Sequence, residues 1–140
     1  MRPVLSLVTL GVADLAVSRA FYAALGWHDS SEIPTIAFLR GAGTHLALWS
    51  RAELADDSAV SDDHGGWGGM TLAHNTGSPA EVDAVLEQAR SAGGRVLRPG
   101  APTAWGGWSG LFADPDGHRW EMAHNPFWPL AEDGHSVLPG

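Results

Sequence analysis

The residues that could carry chemistry in this chain are limited, because two common catalytic side chains are absent. The sequence contains no Cys and no Lys. A thiol nucleophile, a disulfide framework and a cysteine-ligated metal are therefore excluded, and so is Schiff-base catalysis by a lysine amine. No Gly-x-Ser-x-Gly element occurs, and the run Gly65–Gly69 lacks the Lys-Ser/Thr of a phosphate-binding loop.

Histidine and tryptophan are the side chains that remain to be interpreted. Seven histidines raise the question of a metal site, since imidazole is a common metal ligand. Four of them fall in loops, in polar contexts or directly after a turn: His28, His64, His118 and His135. His74 and His124 belong to a repeated Ala-His-Asn, and we interpret them as structural or supporting side chains rather than ligands. Seven Trp against one Tyr are typical of a surface that stacks on flat rings or on a cation.

Length and charge narrow the class of protein. The 140 residues suit one domain with a sizeable core. Sixteen acidic residues against eight basic ones, all Arg, give a net charge of −8, which disfavours nucleic acid or an anionic membrane as partner. No apolar run approaches the ~20 residues of a membrane span, and the opening segment is too short and interrupted for a signal peptide. We expect a soluble cytoplasmic protein.

The elements that must position these side chains fall into two similar halves. The first half predicts a βαβββ unit over about residues 4–50, with Asp14 as N-cap and Gly26 after the helix end. Around a helix at Leu15–Leu25, the predicted strands are Val4–Val12, Trp27–Asp29, Ile33–Arg40 and His45–Ser50. Residues 51–69 are polar and acidic, and we interpret them as an exposed linker.

The second half repeats this order over about residues 70–129, and residues 130–140 form a tail. Ser78-Pro79-Ala80-Glu81 is a capping box that predicts a helix to about Ala92, and Asp114–Gly117 has the signature of a β-turn. The predicted strands are Met70–Asn75, Arg95–Arg98, Trp108–Ala113 and His118–His124. Phe38–Leu48 aligns with Phe112–Met122, with the first turn taken to be one residue shorter, and indicates an internal duplication.

The duplication resembles a known family. Val8–Leu15 with Ala20-Phe21-Tyr22, and Phe112–His118 with Trp120-Glu121, look like the vicinal oxygen chelate superfamily of glyoxalase I, bleomycin-resistance proteins, fosfomycin-resistance enzymes and extradiol dioxygenases. The resemblance covers about residues 4–129. It implies an α+β fold in which two βαβββ modules form a half-open barrel around a cleft. It also implies a homodimer.

The enzymes of that family hold a divalent metal in the cleft, and the resemblance places the ligand positions on this chain. They fall on Leu7, Ala47, Thr71 (or its neighbour Met70) and Glu121. Only Glu121 is a good ligand, because Leu7 and Ala47 carry no donor atom and a Thr hydroxyl is a weak one. We therefore expect no cofactor, with a divalent metal as the less favoured case.

Glu121 has three interpretations at this point. It could accept hydrogen bonds from a ligand or act as a catalytic general base. It could be a relic that pairs with Arg119 on the same strand face. It could also be the only protein anchor of a metal that water completes.

Strand alternation predicts which side chains share the cleft with Glu121. Pairing across the Asp114–Gly117 turn is expected to set Gly110 opposite Glu121, which brings Trp108 and Phe112 to the same face. The predicted ligand-binding residues are Leu7, Thr9, Ala47, Trp49, Thr71, Ala73, Trp105, Trp108, Phe112 and Glu121. Trp105–Trp108 is either a flexible aromatic lid or a strand start whose Trp packs on its own sheet. Phe127-Trp128-Pro129 is expected to close one end of the barrel or to meet a second subunit.

These observations favour a binding protein that holds an aromatic or amphipathic small molecule in a Trp-lined cleft without a catalytic metal. One alternative is a metal-dependent lyase or oxidoreductase of the glyoxalase or dioxygenase type. Another is a metal-free isomerase or lyase that uses Glu121 as base.

Overall fold

A computed structural model describes residues 1–31, 33–64 and 66–138 of the chain. Its elements, in chain order, are β1 Leu7–Val12, α1 Leu15–Ala24, β2 His28–Asp29, β3 Ile36–Arg40, β4 His45–Ser50, α2 Arg51–Asp57, β5 Leu72–Asn75, α3 Pro79–Ser91, β6 Arg95–Pro102, β7 Trp108–Ala113 and β8 Arg119–His124. They form two compact units, Met1–Gly68 and Gly69–Gly140. Each unit contains one four-stranded mixed sheet. The predicted α+β fold of two βαβββ modules is confirmed.

In unit 1 the strand order is β1-β4-β3-β2, with β1 parallel to β4 and the other pairs antiparallel. Helix α1 provides the crossover between the first two strands. Its N-cap is Asp14, as predicted, because the carboxylate accepts hydrogen bonds from the amides of Ala16 and Val17. Phe21 and Tyr22 on α1 are fully buried against the sheet face that carries the buried side chains of Leu10, Val12, Ala37, Leu39, Leu46 and Leu48.

The interpretation of residues 51–69 as linker is wrong at its start, where α2 forms. Leu54 of α2 packs close to Gly11, since a Cβ at Gly11 would lie 3.3 Å from a Leu54 methyl group. Arg51 donates to both carboxylate oxygens of Asp62 at 2.9 and 2.8 Å. The Leu54 contact with Gly11 and the Arg51–Asp62 ion pair help to hold this short helix at the start of an acidic segment. Gly65 of this segment, and Pro139 and Gly140 of the tail, lie outside the described residues.

Unit 2 has the matching order β5-β8-β7-β6, with β5 parallel to β8. Ser78 caps α3 by accepting from the amide of Glu81, which confirms the predicted helix start. Val82, Leu86 and Ala89 form the buried stripe of this helix.

The ends of two strands differ from the prediction, because the apolar run in the sequence and the residues that pair in the sheet are not the same. β1 begins at Leu7 because Val4 and Leu5 are exposed. β6 continues past Arg98 through two prolines to Pro102. It lies at the edge of its sheet, where a residue without an amide hydrogen is tolerated. Among the described residues, no helix has both the length and the apolarity that crossing a membrane demands.

Candidate functional site

One face of the unit 1 sheet is turned away from α1, and we call it the open face of unit 1. Directly paired residues of neighbouring strands share a face. The strand register therefore places on this face the side chains of Leu7, Thr9, Ile36, Phe38, Arg40, His45, Ala47 and Trp49. The predicted residues Leu7, Thr9, Ala47 and Trp49 are thus brought together on one surface. Their contact with a ligand stays a prediction.

A cavity of about 380 Å³ opens at the end of this face where β3 turns into β4. The lining residues are Leu7, Ser30, Phe38, Leu39, Arg40, Gly41 and His45. Leu7 is 38% exposed and Phe38 is half-buried, so apolar carbon is available to a bound molecule. The Ser30 hydroxyl is engaged, because it donates to the Phe38 carbonyl at 3.0 Å.

Besides Ser30, the polar side chains that line the cavity are Arg40 and His45. The backbone amide of Gly41 donates to Nδ1 of His45 at 3.1 Å. Because an amide can only donate, Nδ1 is the acceptor and the neutral ring carries its proton on Nε2. The Arg40 guanidinium has no hydrogen-bond or ion-pair partner in the part of the chain that the structure describes.

The sequence analysis missed Phe38, Arg40 and His45 as residues of a site. The signal was present in the antiparallel pairing of β3 with β4. That pairing sets Phe38 beside Ala47, and alternation along each strand then adds Arg40 and His45 to the same face.

The corresponding surface of unit 2, its open face, carries Glu121. β8 is paired there with β5 and β7, and Ala73 and Leu111 lie on either side of Glu121. Ala73 and Glu121 are therefore direct neighbours, in agreement with the prediction that they share a face. Thr71 lies one residue before β5 and is exposed.

The predicted pairing of Gly110 with Glu121 is wrong by one residue. Leu111 is the partner of Glu121, and Gly110 is the partner of Met122. A shift of one residue moves every side chain of a strand to the other face. Trp108 and Phe112 consequently lie on the side covered by α3, where the Trp108 indole donates to Asp83 at 3.0 Å. Neither residue belongs to the open face.

The reason for the shift is the length of the connection between β7 and β8. The Asp114 amide donates to the His118 carbonyl, which leaves a three-residue loop that ends in Gly117 at φ +93°. This is the common three-residue hairpin with glycine in the left-handed region. The β3–β4 connection, judged from its strand register, is one residue longer, so the expectation that the first turn is shorter is also wrong.

Phe112 is part of the core of unit 2. It is 1% exposed and stacks on Trp120 with ring centroids 6.2 Å apart and planes 6° from parallel.

Trp105 lies in the loop before β7 and is 44% exposed. Its ring covers Gly107, because a Cβ there would lie 1.7 Å from the indole. The loop is closed by Thr103, whose amide donates to the Gly107 carbonyl and whose hydroxyl accepts from the Gly107 amide. This geometry favours a strand start on which the Trp packs.

The carboxylate of Glu121 is half-buried and has no hydrogen-bond or ion-pair partner among the residues described. Arg119 shares its face but forms no ion pair with it within that part of the structure. On the neighbouring strands, Arg98 is engaged by Ser109, to whose hydroxyl and carbonyl it donates at 2.8 and 3.0 Å. The interpretation of Glu121 as a relic paired with Arg119 is therefore not supported.

Two histidines of unit 2 have structural hydrogen bonds. His118 donates from Nδ1 to the buried carboxylate of Asp114 at 2.8 Å, and His124 donates from Nδ1 to the Thr76 carbonyl at 3.1 Å. His74 is the strand neighbour of Met122, on the face opposite Glu121. These positions agree with the interpretation that His74 and His124 are not ligands.

The donor atoms at the family's metal positions do not fit a metal ion. Leu7 and Ala47 end in carbon, and Thr71 offers a hydroxyl, whereas a divalent ion needs several oxygen or nitrogen ligands. No group of three or more His, Asp or Glu side chains suited to a metal was found in the described segments.

The sequence profile of the Glyoxalase/Bleomycin resistance protein/Dioxygenase superfamily matches residues 4–122. No curated protein matches the sequence.

Solved structures match over nearly the whole chain. A glyoxalase-related enzyme from Fulvimarina pelagi has 38% sequence identity and a TM-score of 0.91, with 99% of each chain covered. A glyoxalase/bleomycin resistance protein/dioxygenase from Nocardioides has 29% identity and a TM-score of 0.73, with 89% of this chain and 84% of that chain covered. A glyoxalase/bleomycin resistance protein/dioxygenase family enzyme from Burkholderia phytofirmans PsJN has 19% identity and a TM-score of 0.76, with 86% and 98% covered, and shows similarity of fold.

Proposed function

Because the chain belongs to the Glyoxalase/Bleomycin resistance protein/Dioxygenase superfamily, we propose that it binds an aromatic or amphipathic small molecule without a catalytic metal. The binding surface is the open face of unit 1 with its cavity. The single observation that carries the proposal is an apolar cavity of about 380 Å³ on that face. This volume is within the range of small-molecule sites, and such sites are mostly apolar with few polar groups.

The aromatic part of the ligand has two partners on this surface. Phe38 contributes to the cavity wall, and Trp49 is half-buried two residues along β4 from Ala47. An aromatic pair contributes about 0.5–1.5 kcal/mol beyond its buried area. This surface differs from the Trp-lined wall predicted from sequence, since Trp49 is its only Trp within the described register.

Absence of a catalytic metal is proposed from the donor set. Glu121 alone among the four family positions supplies a carboxylate, and one carboxylate gives a divalent ion little of the coordination that it needs. Association of two copies, expected from the resemblance, is likewise proposed. Phe127 at 66% exposure offers apolar surface for it.

Catalysis without a metal is the second candidate. The observation that favours it is the half-buried Glu121 carboxylate with no partner among the described residues, since a general base must be free to take a proton. The relative from Fulvimarina pelagi is described as a glyoxalase-related enzyme. These two facts support, as the second proposal, an isomerase or lyase step with Glu121 as base.

Titration of Trp fluorescence tests the binding proposal. The full chain is titrated with planar compounds such as indole, quinoline and 2-naphthol. Trp49→Phe is expected to lose most of the quenching and to weaken binding about twofold, the equivalent of ~0.5 kcal/mol, because Phe keeps a smaller ring at this position. Trp67→Phe is the matched control, because Trp67 is 61% exposed and lies on no strand of the open face; it should keep the wild-type affinity.

Three results would count against the proposal. Compounds that quench Trp49→Phe as strongly as wild type would place the site elsewhere. Stoichiometric Ni, Zn, Fe or Mn in the purified protein, lost on Glu121→Ala, would establish the metal-dependent alternative. Turnover that is insensitive to chelators and abolished by Glu121→Gln would establish the metal-free enzyme.

A further inference from the structure

We propose that the cavity of unit 1 recognises an anionic group, so that the ligand class is a small aromatic carboxylate. This inference rests on the proposed function, because the cavity is one end of the open face of unit 1. It adds the chemical group that orients the ligand.

The first observation is an uncommitted cation in an acidic protein. The chain has a net charge of −8, and three arginines of the described residues are paired with carboxylates: Arg19 with Asp29, Arg51 with Asp62 and Arg90 with Glu87. Arg40 lines the cavity and has no partner within the described residues. A guanidinium presents two parallel donors that match a carboxylate.

The second observation is the absence of competing negative charge on this surface. The strand pairs of the open face of unit 1 place no Asp or Glu there within the described strands. Asp29 on β2 is paired with Leu39 on the opposite face, where it is bound by Arg19. His28 is the strand partner of Arg40. Within the described strands, the cavity end of the face therefore carries only basic or neutral side chains.

The third observation is the fixed orientation of His45. Its Nδ1 is occupied by the Gly41 amide, so Nε2–H is the donor that remains. Arg40 and His45 are the residues that flank the turn between β3 and β4. They line the same cavity. A carboxylate bound there can therefore accept a charge-assisted hydrogen bond from Arg40 on β3 and a second hydrogen bond from His45 Nε2–H on β4.

The fourth observation is the apolar floor. Leu7 and Phe38 line the cavity beside the two polar groups. A ligand with a carboxylate at one end and a flat ring at the other would place the ring on Phe38 and the charge at Arg40. A purely inorganic anion would leave this carbon surface uncovered.

Isothermal titration of the full chain with 2-naphthoate and 2-naphthamide tests the inference. The two probes share shape and differ in charge. We expect 2-naphthoate to bind about tenfold or more tightly than the amide, since a hydrogen bond to a charged group is the larger contribution. Arg40→Gln should weaken 2-naphthoate binding about tenfold and leave 2-naphthamide binding unchanged. Arg90→Gln, which removes the same charge from α3, should change neither.

His45→Asn refines the test. Asn can keep an acceptor for the Gly41 amide but has no group at the position of Nε2. We expect it to weaken 2-naphthoate binding about three- to tenfold. Thermal denaturation of Arg40→Gln should match wild type, because Arg40 has no partner to lose in the described structure.

The outcomes separate this inference from the proposed function. Equal binding of the acid and the amide, both weakened by Trp49→Phe, overturns the anion site and leaves the aromatic site standing. Strong 2-naphthoate binding that Arg40→Gln and Arg90→Gln affect equally also overturns it. If neither probe binds, and the neutral aromatics above do not bind either, both proposals fail.

Discussion

Gly110→Ala tests the strand register of unit 2, on which the composition of the open face depends. In the structure Gly110 is on the α3 side of the sheet, opposite Met122. A Cβ at this position would lie 2.4 Å from a Leu86 methyl group and 3.1 and 3.2 Å from the backbone atoms N of Gly100 and O of Arg98. Leu86 is 4% exposed, so it cannot turn aside into solvent.

The expected cost follows from these contacts. Overpacking of a filled core costs about 1–3 kcal/mol. Replacement of glycine in a strand returns about 0.5–1 kcal/mol of backbone entropy. We therefore expect Gly110→Ala to lower the free energy of unfolding by about 1–2 kcal/mol.

A double-mutant cycle identifies the cause. Leu86→Ala alone should cost about 2–5 kcal/mol, as other buried leucine truncations do. In Gly110→Ala/Leu86→Ala the methyl group enters the space that Leu86 leaves, so the combined loss should fall short of the sum by about 1 kcal/mol or more. The measurement is urea denaturation followed by Trp fluorescence, with Gly43→Ala as control, because a Cβ at Gly43 meets nothing within 4 Å.

The register reasoning is refuted if Gly110→Ala is neutral and adds independently to Leu86→Ala. That result would mean that position 110 faces away from α3, on the side of Glu121, as the sequence pattern predicted.

Two further predictions concern polar contacts that hold local structure. Asp114→Ala should lower the free energy of unfolding by about 3 kcal/mol, because the buried carboxylate accepts hydrogen bonds from the amides of Asp116 and His118 and from the His118 ring. Asp114→Asn keeps one acceptor oxygen and should cost about half as much in the same urea assay. For Asp29, partial burial acts to raise the pKa, but the hydrogen bonds from Ser31 and the charge of Arg19 outweigh it and hold the pKa below 3.8. The pKa of Asp29 is therefore lower in the folded state than in the unfolded state, so the stabilisation is present above pH 3.8 and is lost as the pH falls through the folded-state pKa. Asp29→Asn should reduce the decrease of the unfolding free energy at acid pH. An unchanged pH profile would contradict the role of these contacts.

The fold could be predicted because the helix caps, the apolar runs and the repeated βαβββ order all indicated the same arrangement. The caps at Asp14 and Ser78 fixed two helix starts, and the apolar runs between them had the length of strands. The segment Arg51–Asp57 was missed although Arg, Ala, Glu and Leu favour a helix, because the acidic residues that follow led to the interpretation of residues 51–69 as linker. The extension of β6 through Pro99 and Pro102 depends on its edge position, which the order of strands determines.

The residues that share an open face could be predicted only where the strand register did not depend on the length of a hairpin loop. Thr9–Ala47 and Ala73–Glu121 are neighbours on parallel strands. The ligand positions that the resemblance implied chose the face, and alternation then placed these residues together on it. The sheet face on which Trp108 and Phe112 lie depends on the β7–β8 hairpin, because one residue more or less in its loop moves their side chains to the opposite face. The Pro115-Asp116-Gly117 sequence carried the signal of a three-residue loop.

The same difference in loop length decides which unit offers an aromatic surface. Phe38 and Phe112 are equivalent positions of the repeat. In unit 1 the pairing of Phe38 with Ala47 turns the ring to the open face. In unit 2 the shorter hairpin pairs Phe112 with Trp120 and buries both rings under α3, so the open face receives Leu111 in its place. The two units therefore share the parallel strand pairs but differ in the side chains on their open faces. The open face of unit 1 carries apolar and aromatic side chains beside Arg40. The open face of unit 2 carries Glu121, whose carboxylate has no partner among the described residues. For this reason we propose unit 1 as the place of a ring-bearing ligand and, in the enzyme alternative, Glu121 as the group that takes the proton.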